Sequence, residues 1–230
     1  MKLLDLFCCE GGAAKGYQSA GFEVTGIDIE ARFAKRYPGD FIQADAIEYV
    51  KEHGHEYDVI HASPPCQRYS ITNASRQHDY PDLVAATREA LTATGKPWVI
   101  ENVVGAPLQD PITLCWTMFH QPGSVHDTDG EPLQMFRHRL FESSLALEAP
   151  SGCNHEKTMQ VAGSYGGARR DKWEARHVRK GGYVPAKDVQ ERLLGIDWMT
   201  QHGLYQSLPP VYTEHIGHQV TAFIRQAVAA

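Results

Sequence analysis

Apolar residues along the first hundred positions fall into short runs that alternate with segments of helical periodicity. Short apolar runs predict buried strands, and the segments between them predict helices. This alternation is typical of a parallel sheet with helices on both faces. The predicted strands are 3–7, 23–27, 40–43, 58–62 and 98–103, and the predicted helices are 13–20, 30–36, 46–51 and 82–93. We therefore predict a doubly wound, mostly parallel α/β fold.

The pattern becomes irregular after residue 105, where Gly, Pro and His residues accumulate. Residues 133–141 predict a strand or one arm of a hairpin, and helical periodicity returns at 188–194 and 219–229. Gly-rich sequence with weak periodicity lies between these segments and predicts a loop-built lobe. We predict a core formed by 1–150 and 184–230, with a small irregular lobe at 151–183.

Composition indicates a single globular unit in a reducing compartment. The 230 residues are 42% hydrophobic, which is enough for one sizeable core. The sequence contains no run of about 18 apolar residues, so no membrane span is predicted. The N-terminus does not resemble a signal peptide. The five cysteines are odd in number and do not suggest a disulfide framework. We expect a soluble cytoplasmic protein that does not enter a membrane.

Charge is segregated along the chain. The net charge is −6, yet residues 151–183 hold seven Lys or Arg against three Asp or Glu, a local charge of +4 that leaves −10 elsewhere. Such a distribution predicts a nucleic-acid-facing lobe on an acidic core, although a solvated basic loop is the alternative. The candidate phosphate-binding residues are Arg169, Arg170, Lys172 and Arg176.

Three segments that follow the first three strands predict a pocket for an adenosine group. Gly11 and Gly12 join the first strand to the first helix, where a missing side chain lets backbone approach a ligand. The segment lacks the G-x-G-x-x-G spacing of dinucleotide sites. Asp28 ends the second strand and could accept hydrogen bonds from ribose hydroxyls. Asp45 follows the third strand and could accept from an adenine amino group or cap a helix.

A cysteine and a glutamate follow the fourth and fifth strands. Two prolines stiffen the turn before Cys66, and Glu101 ends the neighbouring strand, so both should open onto one crevice. A thiolate can add to carbon 6 of a pyrimidine when an acid assists at ring nitrogen 3, which activates carbon 5. The alternatives are an incidental cysteine and a buried carboxylate paired with an arginine.

Two further groups of residues invite a chemical interpretation. Arg137 and Arg139 could place a guanidinium near a base and brace Glu101, or could belong to an ordinary exposed basic strand. Cys153 and His155 could form half of a zinc site, but no second pair with ligand spacing lies nearby in the sequence. We therefore expect no metal.

The chain resembles cytosine-5 DNA methyltransferases. The resemblance is carried by Asp5-Leu6-Phe7 with Gly11-Gly12, by Pro65-Cys66-Gln67 and by Glu101-Asn102-Val103, in that order. It implies a Rossmann-like fold, S-adenosylmethionine as methyl donor, and Cys66, Glu101, Arg137 and Arg139 as catalytic residues. It also implies that Phe7 packs on the cofactor, Asp28 binds its ribose, and Ile29 and Asp45 contact the adenine. The cofactor-binding set is completed by Gly11, Gly12, Pro65, His218 and Val220.

The resemblance implies that double-stranded DNA is the substrate and that 151–183 is a short target recognition lobe. Gln67 and Ser70 fall in a loop expected to close over DNA, beside a cytosine flipped out of the duplex. The family's final motif is altered here, with His218 where Asn is usual. A restriction–modification setting in a prokaryote or phage-infected cell is expected, as is a monomer with no obligate protein partner. RNA methylation and nucleic-acid binding without turnover are the alternatives.

Overall fold

The computed structural model describes residues 1–65, 82–166 and 183–229. Within these ranges the chain forms ten strands, six α-helices and three short 3₁₀ turns. The strands are β1 Lys2–Leu6, β2 Glu23–Asp28, β3 Asp40–Gln43, β4 Val59–Ala62, β5 Trp98–Asn102, β6 Ile112–Leu114, β7 Val125–His126, β8 Pro132–Met135, β9 Arg139–Ser143 and β10 Gln160–Ala162. The helices are α1 Gly12–Ser19, α2 Ala46–His53, α3 Val84–Ala93, α4 Lys187–Leu194, α5 Gln201–Gln206 and α6 Pro210–Ala229. The 3₁₀ turns are Ala31–Lys35, Gly54–Glu56 and Trp116–Met118.

Seven strands form one twisted sheet in the order β3-β2-β1-β4-β5-β9-β6. The first five are parallel, and β9 runs antiparallel to both of its neighbours, β5 and β6. The chain changes direction across the sheet between β1 and β4, and parallel α/β sheets bind ligands at such a switch point. The predicted doubly wound, mostly parallel fold is confirmed, including the pairing of the fourth strand with the fifth.

Apolar side chains on both faces of the sheet explain why its central strands are continuous hydrophobic runs. In β1, Leu3 packs into the core on one face, whereas Leu4 and Leu6 pack into the core on the other. Successive strand residues point to opposite faces, so a strand covered on both sides must be apolar at nearly every position. Asp5 is the polar exception among the buried residues of β1, and it is almost completely buried.

Helices α1 and α6 pack closely because two glycines in α1 leave room for another segment of backbone. A Cβ on Gly16 would lie 2.0 Å from the carbonyl oxygen of Pro210, and one on Gly12 would lie 2.6 Å from that of Leu208. Thr213 in α6 also donates a hydrogen bond to the carbonyl of Ala13 at 2.8 Å. This contact brings the C-terminal part of the chain back to the first strand–helix loop.

A second sheet of three strands, in the order β10-β8-β7, lies beside the main sheet with its own hydrophobic cluster. Trp116 is fully buried in that cluster and donates from Nε1 to the carbonyl of Leu193 in α4. The second sheet therefore uses chain segments on both sides of residue 151. The proposed lobe boundaries at 151–183 remain a prediction, because 167–182 lie outside the described residues.

Three predicted elements differ from the structure. Residues 30–36 form only the 3₁₀ turn Ala31–Lys35. The predicted strand 133–141 divides into β8 and β9, which belong to different sheets. The predicted helix 219–229 is the second half of the 20-residue α6. The proline pair at residues 209–210 interrupts the helical periodicity, so the pattern does not show that the helix starts at Pro210. Pro is nevertheless favoured in the first turn of a helix.

No helix in the described ranges combines the length and the hydropathy needed to span a bilayer.

Candidate active site

A cavity of about 340 Å³ opens at the carboxyl ends of the central strands. Small-molecule sites commonly have volumes of 300 to 1,000 Å³. Residues from the ends of β1, β2, β4 and β5 line one side, and the segment from α5 to α6 lines the other. The cavity therefore lies at the switch point of the sheet, where the sequence predicts the adenosine pocket.

The charges around the cavity are strongly biased toward the negative. One guanidinium, from Arg139, lies among the described lining residues, and six carboxylates do so: Asp5, Glu10, Asp28, Glu30, Asp45 and Glu101. An excess of carboxyl groups over basic groups favours a cationic ligand and disfavours polyphosphates. The lining of the cavity therefore fits a small molecule that carries positive charge.

The loop between β1 and α1 has an unusual backbone. Phe7 and Cys9 both have positive φ, at 58° and 48°, in the left-handed region that side-chain-bearing residues rarely adopt. The backbone N–H of Cys9 donates to Asp28 Oδ2 at 3.0 Å, which ties this loop to the end of β2. Such strain is concentrated at functional sites, and Phe7 and Cys9 both line the cavity.

The two glycines of this loop serve the packing of the protein itself. A Cβ on Gly11, at φ +83°, would lie 2.2 Å from the Pro38 ring, and the space beside Gly12 is filled by the backbone of Leu208. Gly12 lines the cavity, whereas Gly11 is absent from its described lining. Both glycines therefore have a packing role, and the predicted approach of this loop to a ligand remains a prediction.

Asp5 is a buried carboxyl group with an incomplete set of hydrogen bonds. Its Oδ2 accepts from the hydroxyl of Tyr37 at 3.0 Å, whereas Oδ1 is buried without a hydrogen-bond partner. Burial raises the pKa of Asp5 to about 7, the Tyr37 hydrogen bond opposes the shift, and the nearby Asp28 charge adds to it. Asp5 lines the cavity, although its Oδ1 has almost no accessible surface.

The residues expected to bind adenosine surround one side of the cavity. Asp28, Ile29 and Asp45 all line it, and the Ile29 side chain is 67% exposed although apolar. Oδ1 of Asp28 accepts from the backbone N–H of Glu30 at 3.0 Å. Oδ1 of Asp45 accepts from the first backbone N–H groups of α2, so the N-cap alternative for Asp45 is confirmed. Their predicted contacts to a cofactor remain predictions.

Glu101 and Arg139 form a buried ion pair at the other side of the cavity. Arg139 Nε lies 3.1 Å from Glu101 Oε1, and the two side chains are only 17% and 10% exposed. Burial raises the pKa of Glu101. The charges of Arg139 and Arg137 and a hydrogen bond with Ser63 oppose this shift. A carboxyl group with a raised pKa retains its proton more readily and can act as an acid. The two interpretations of Glu101 do not exclude each other, because the side chain is paired with an arginine and also lines the cavity.

A chain of buried side chains leads from α1 to Glu101. The Tyr17 hydroxyl lies 3.1 Å from His61 Nδ1, and His61 Nε2 lies 3.0 Å from the Ser63 hydroxyl, which hydrogen bonds with Glu101. Burial lowers the pKa of His61 to about 3, so its ring is neutral. A neutral ring accepts a hydrogen bond at one nitrogen and donates at the other, as this chain requires. Sequence reasoning missed Tyr17 and His61, although a histidine inside an apolar strand is a signal.

Asn102 connects the end of β5 to the turn after β4. Its side-chain amide donates to the carbonyl of Pro64 at 3.0 Å, and its Oδ1 accepts from the backbone N–H of Val103. Ser63, Pro64 and Pro65 all line the cavity. Asn102 therefore holds in place the turn that precedes Cys66.

Several predicted site residues lie outside the described ranges, so their placement remains a prediction. They are Cys66, Gln67, Ser70, Arg169, Arg170, Lys172 and Arg176. Among the described cysteines, Cys8 also lines the cavity. Burial, together with the charges of Asp5 and Asp28, raises the pKa of its thiol well above the ordinary value. Cys8 is therefore protonated and unsuited to nucleophilic attack.

Arg137 has a different environment from Arg139. Its guanidinium donates to the carbonyls of Ser164, Tyr205 and Ser207, and the residue is 4% exposed. Arg137 is absent from the described lining of the cavity. The structure thus separates the predicted arginine pair into a cavity residue, Arg139, and a positioning residue, Arg137, which joins the second sheet to the segment before α6.

The segment just before α6 lines the cavity, whereas the two predicted cofactor-binding residues within α6 do not. Gln206, Ser207 and Leu208 line it, whereas His218 is exposed on α6 and Val220 is fully buried in the hydrophobic core. At 1.5 Å per residue, a helix that starts at Pro210 carries these two residues roughly 12 to 15 Å from its first turn. The structure therefore does not support the predicted cofactor contacts of His218 and Val220.

Glu10 is a lining residue that the sequence did not single out. Its carboxylate accepts from the backbone N–H of Thr200 at 2.7 Å and from the Thr200 hydroxyl at 2.6 Å. Its backbone carbonyl accepts from Trp198 Nε1. Glu10 thus joins the first loop to the segment before α5, a contact across almost 190 positions that no local pattern could reveal.

The chain is similar to known methyltransferases in sequence and in structure. The family model for C-5 cytosine-specific DNA methylase matches residues 1–107. The type II methyltransferase M.AgeI of Thalassovita gelatinovora is 31% identical over an alignment of 121 residues, and the match covers 46% of this chain and 28% of that protein. The chain thus matches less than a third of the length of this curated relative.

Solved structures show the same fold over nearly the whole chain. A protein assigned as a DNA modification methyltransferase from an Escherichia coli prophage superposes with a TM-score of 0.61 at 14% identity, covering 98% of this chain and 99% of that one. The Schizosaccharomyces pombe Dnmt2 methyltransferase superposes with a TM-score of 0.58 at 12% identity, covering 99% of both chains. Residues 1–107 are thus similar to the C-5 cytosine-specific DNA methylase family, and the fold of the solved methyltransferase structures extends over nearly the whole chain.

Proposed function

We propose that this protein is a DNA (cytosine-5) methyltransferase that uses Cys66 as a covalent nucleophile. The observation that carries the proposal is the placement of Glu101. This carboxyl group of raised pKa lines the cavity, is paired with Arg139, and belongs to the strand whose Asn102 holds the turn before Cys66. An acid, a nucleophile and a ligand pocket are the three components that pyrimidine substitution requires.

The cavity fits S-adenosylmethionine by its charge and by its polar groups. Six carboxylates against one guanidinium favour a ligand with a positive sulfonium and a positive amino group. The exposed apolar surface of Ile29 offers a face for adenine. Asp28 and Asp45 are the candidate partners of the ribose and the adenine amino group. When bound, S-adenosylmethionine would supply an electrophilic methyl group.

The residues of this chain would perform the remaining chemistry on a flipped cytosine. The Cys66 thiolate adds to carbon 6, and Glu101, oriented by Arg139 and Ser63, holds a proton at ring nitrogen 3. Carbon 5 becomes nucleophilic and accepts the methyl group. The proton of carbon 5 then leaves to solvent, the carbon–sulfur bond breaks, the thiolate is restored, and the proton at nitrogen 3 returns to Glu101.

The basic residues Arg169, Arg170, Lys172 and Arg176 are the proposed contacts to DNA phosphates, and Gln67 and Ser70 belong to the proposed closing loop. Salt dependence of binding would report the number of phosphate contacts. A restriction–modification setting agrees with the type II methyltransferase relative. A monomer that binds double-stranded DNA without a protein partner remains our proposal.

Transfer of a labelled methyl group from S-adenosylmethionine to duplex DNA tests the function directly. We expect labelled DNA with the wild type, no labelled DNA with Cys66→Ala, and unchanged cofactor binding in that variant. Duplex DNA containing 5-fluorocytosine should form a covalent adduct with the wild type, because fluorine at carbon 5 blocks the elimination. Retained methylation by Cys66→Ala would overturn the assignment of the nucleophile.

The alternatives correspond to separate outcomes of the same assay. If transfer RNA is labelled and DNA is not, the substrate is RNA and the proposed cytosine-5 chemistry is unchanged. Cofactor binding without transfer to either nucleic acid would mean that the chain is a binding module, and the proposal would be wrong.

A further inference from the structure

Four side chains with metal-binding atoms meet outside the cavity, between the two sheets. Cys115 follows β6, His138 precedes β9, and Cys153 and His155 lie between β9 and β10. Their ligand atoms all lie within 4.8 Å of one another. Sequence reasoning found only Cys153 and His155, since 22 residues separate Cys115 from His138 and no local spacing connects them with the later pair.

The distances suit tetrahedral coordination. Cys115 Sγ lies 3.3 Å from His155 Nε2, and Cys153 Sγ lies 3.4 Å from His138 Nε2. Zinc–sulfur bonds of about 2.3 Å and zinc–nitrogen bonds of 2.0 to 2.1 Å place a sulfur and a nitrogen about 3.6 Å apart around one ion. The side chains are therefore within a few tenths of an ångström of this separation.

We propose that Cys115, His138, Cys153 and His155 form a structural Zn²⁺ site. Two thiolates and two imidazoles in tetrahedral arrangement select zinc over the hard cations magnesium and calcium. Four protein ligands fill the coordination sphere and leave no position for substrate, which is characteristic of a structural site. On binding, two zinc–sulfur and two zinc–nitrogen bonds form and the two thiol protons pass to solvent, so the bound site is neutral.

Contacts around the ligands hold them in place. The Thr117 hydroxyl lies 3.3 Å from Cys115 Sγ and accepts from the backbone N–H of Asn154 at 3.2 Å. Thr117 thereby joins the first ligand to the residue between the last two. The Phe136 ring stacks on the His155 ring with centroids 3.8 Å apart. Supporting contacts of this kind orient metal ligands and limit their freedom before the ion binds.

The segment that supplies Cys153 and His155 has no regular structure of its own and is held by side chains of neighbouring elements. Residues 144–159 contain no helix or strand, and both ligands in this segment are exposed. Gln134 attaches the later part of the segment, accepting from the backbone N–H of Glu156 at 2.9 Å and donating to the carbonyl of Met159 at 3.2 Å. A zinc ion would add a strong cross-link between this segment and the end of β6.

The site also has a connection to the cavity. His138 stands between Arg137, which joins the second sheet to the segment before α6, and Arg139, which pairs with Glu101. A metal that fixes His138 would fix the turn carrying both arginines. The existence of the zinc site does not depend on the proposed methyltransferase activity.

Zinc content per chain is the direct test. Protein purified without chelators from zinc-containing medium should hold about one zinc ion per chain, measured by plasma emission spectrometry. Cys153→Ala and His155→Ala change exposed ligands and should each lower the zinc content at least fivefold. Asn154→Ala, between the two ligands, is the matched control and should retain the full content. Full zinc content in both ligand variants would overturn the proposal.

Cobalt provides a second measurement on the wild-type protein. Metal-free wild type given Co²⁺ should develop the absorption of a tetrahedral cobalt–thiolate centre, and Cys153→Ala should not. Wild type that contains no zinc and develops no such absorption would show the proposal to be wrong, even if the variants failed to fold. Chelation of the wild type should accelerate proteolysis within 144–159, while an unchanged cleavage rate would contradict a structural role for the ion.

Discussion

The carboxylate of Glu101 lies 3.1 Å from Nε of Arg139, in a nearly buried ion pair at the edge of the cavity. β5 and β9 carry the two residues and are antiparallel neighbours in the main sheet. The guanidinium partly offsets the effect of burial on the carboxyl pKa. Glu101 is consequently held in one orientation while it keeps an increased tendency to remain protonated, a combination that suits proton donation to a base.

Glu101→Gln should lower methyl transfer by about a hundredfold or more, because Gln keeps the shape but donates no proton. Single-turnover rates with duplex DNA would measure the loss. Glu142→Gln is the control, since Glu142 accepts from Arg88 at 2.7 Å in another buried ion pair and is absent from the described cavity lining. We expect that variant to lose stability and keep its transfer rate. Equal losses of rate in both variants would assign Glu101 a structural role only.

Ser63→Ala should move the pH profile of transfer upward. The Ser63 hydrogen bond lowers the pKa of Glu101, so its removal raises that pKa further. The protonated form then persists to higher pH, and the limb on which kcat declines with rising pH should shift in the alkaline direction. A shift toward lower pH, or none, would contradict the role assigned to the chain from Tyr17 through His61 to Ser63.

The affinity for S-adenosylmethionine should rise as pH increases toward 7. Asp5 has a pKa of about 7, and a positive ligand favours its ionised form, so binding releases a proton below that pH. The increase should approach tenfold per pH unit at most, measured by calorimetry. It should be smaller for S-adenosylhomocysteine, which lacks the sulfonium charge, and lost in Asp5→Asn. Identical pH dependence in Asp5→Asn would exclude Asp5 as the group responsible.

Asp5 should also make the folded state less stable as pH rises. The folded pKa of about 7 exceeds the ordinary carboxyl value of 3.8, so between these pH values the folded chain holds a proton that the unfolded chain has lost. The stabilisation is complete below about pH 4 and is lost as pH rises through 7, with a slope of at most about 1.4 kcal/mol per unit. Denaturant unfolding of the ligand-free protein should show this slope, and Asp5→Asn should flatten it. A slope of opposite sign would contradict the pKa assignment.

Gly16→Ala should destabilise the protein by separating α1 from α6. The added Cβ would lie 2.0 Å from the Pro210 carbonyl oxygen and 2.2 Å from Thr213 Oγ1. Overpacking of this kind costs about 1 to 3 kcal/mol, visible as a lower Tm. Ser19→Ala, at an exposed position of the same helix, is the control and should have little effect. An unchanged Tm for Gly16→Ala would mean that the two helices move apart without cost.

The sequence by itself determined the order of the first five strands and the location of the chemistry at their carboxyl ends. Short apolar runs in the central strands β1, β4 and β5 reflect burial on both faces, a local requirement that can be read from consecutive residues. The triplets around Cys66 and Glu101 occupy the ends of strands that pair side by side, so their order in the chain predicts their proximity.

Only the tertiary structure decided which later residues approach the cavity and which residues come together from distant positions. Arg137 and Arg139 are two positions apart, yet one is bound to backbone carbonyls and the other lines the cavity. His218 and Val220 lie too far along α6 to line it. Glu10 with Thr200, and Cys115 with His155, meet because segments distant in the sequence pack against each other. Packing depends on the sum of many weak contacts across the chain, and no local pattern records it.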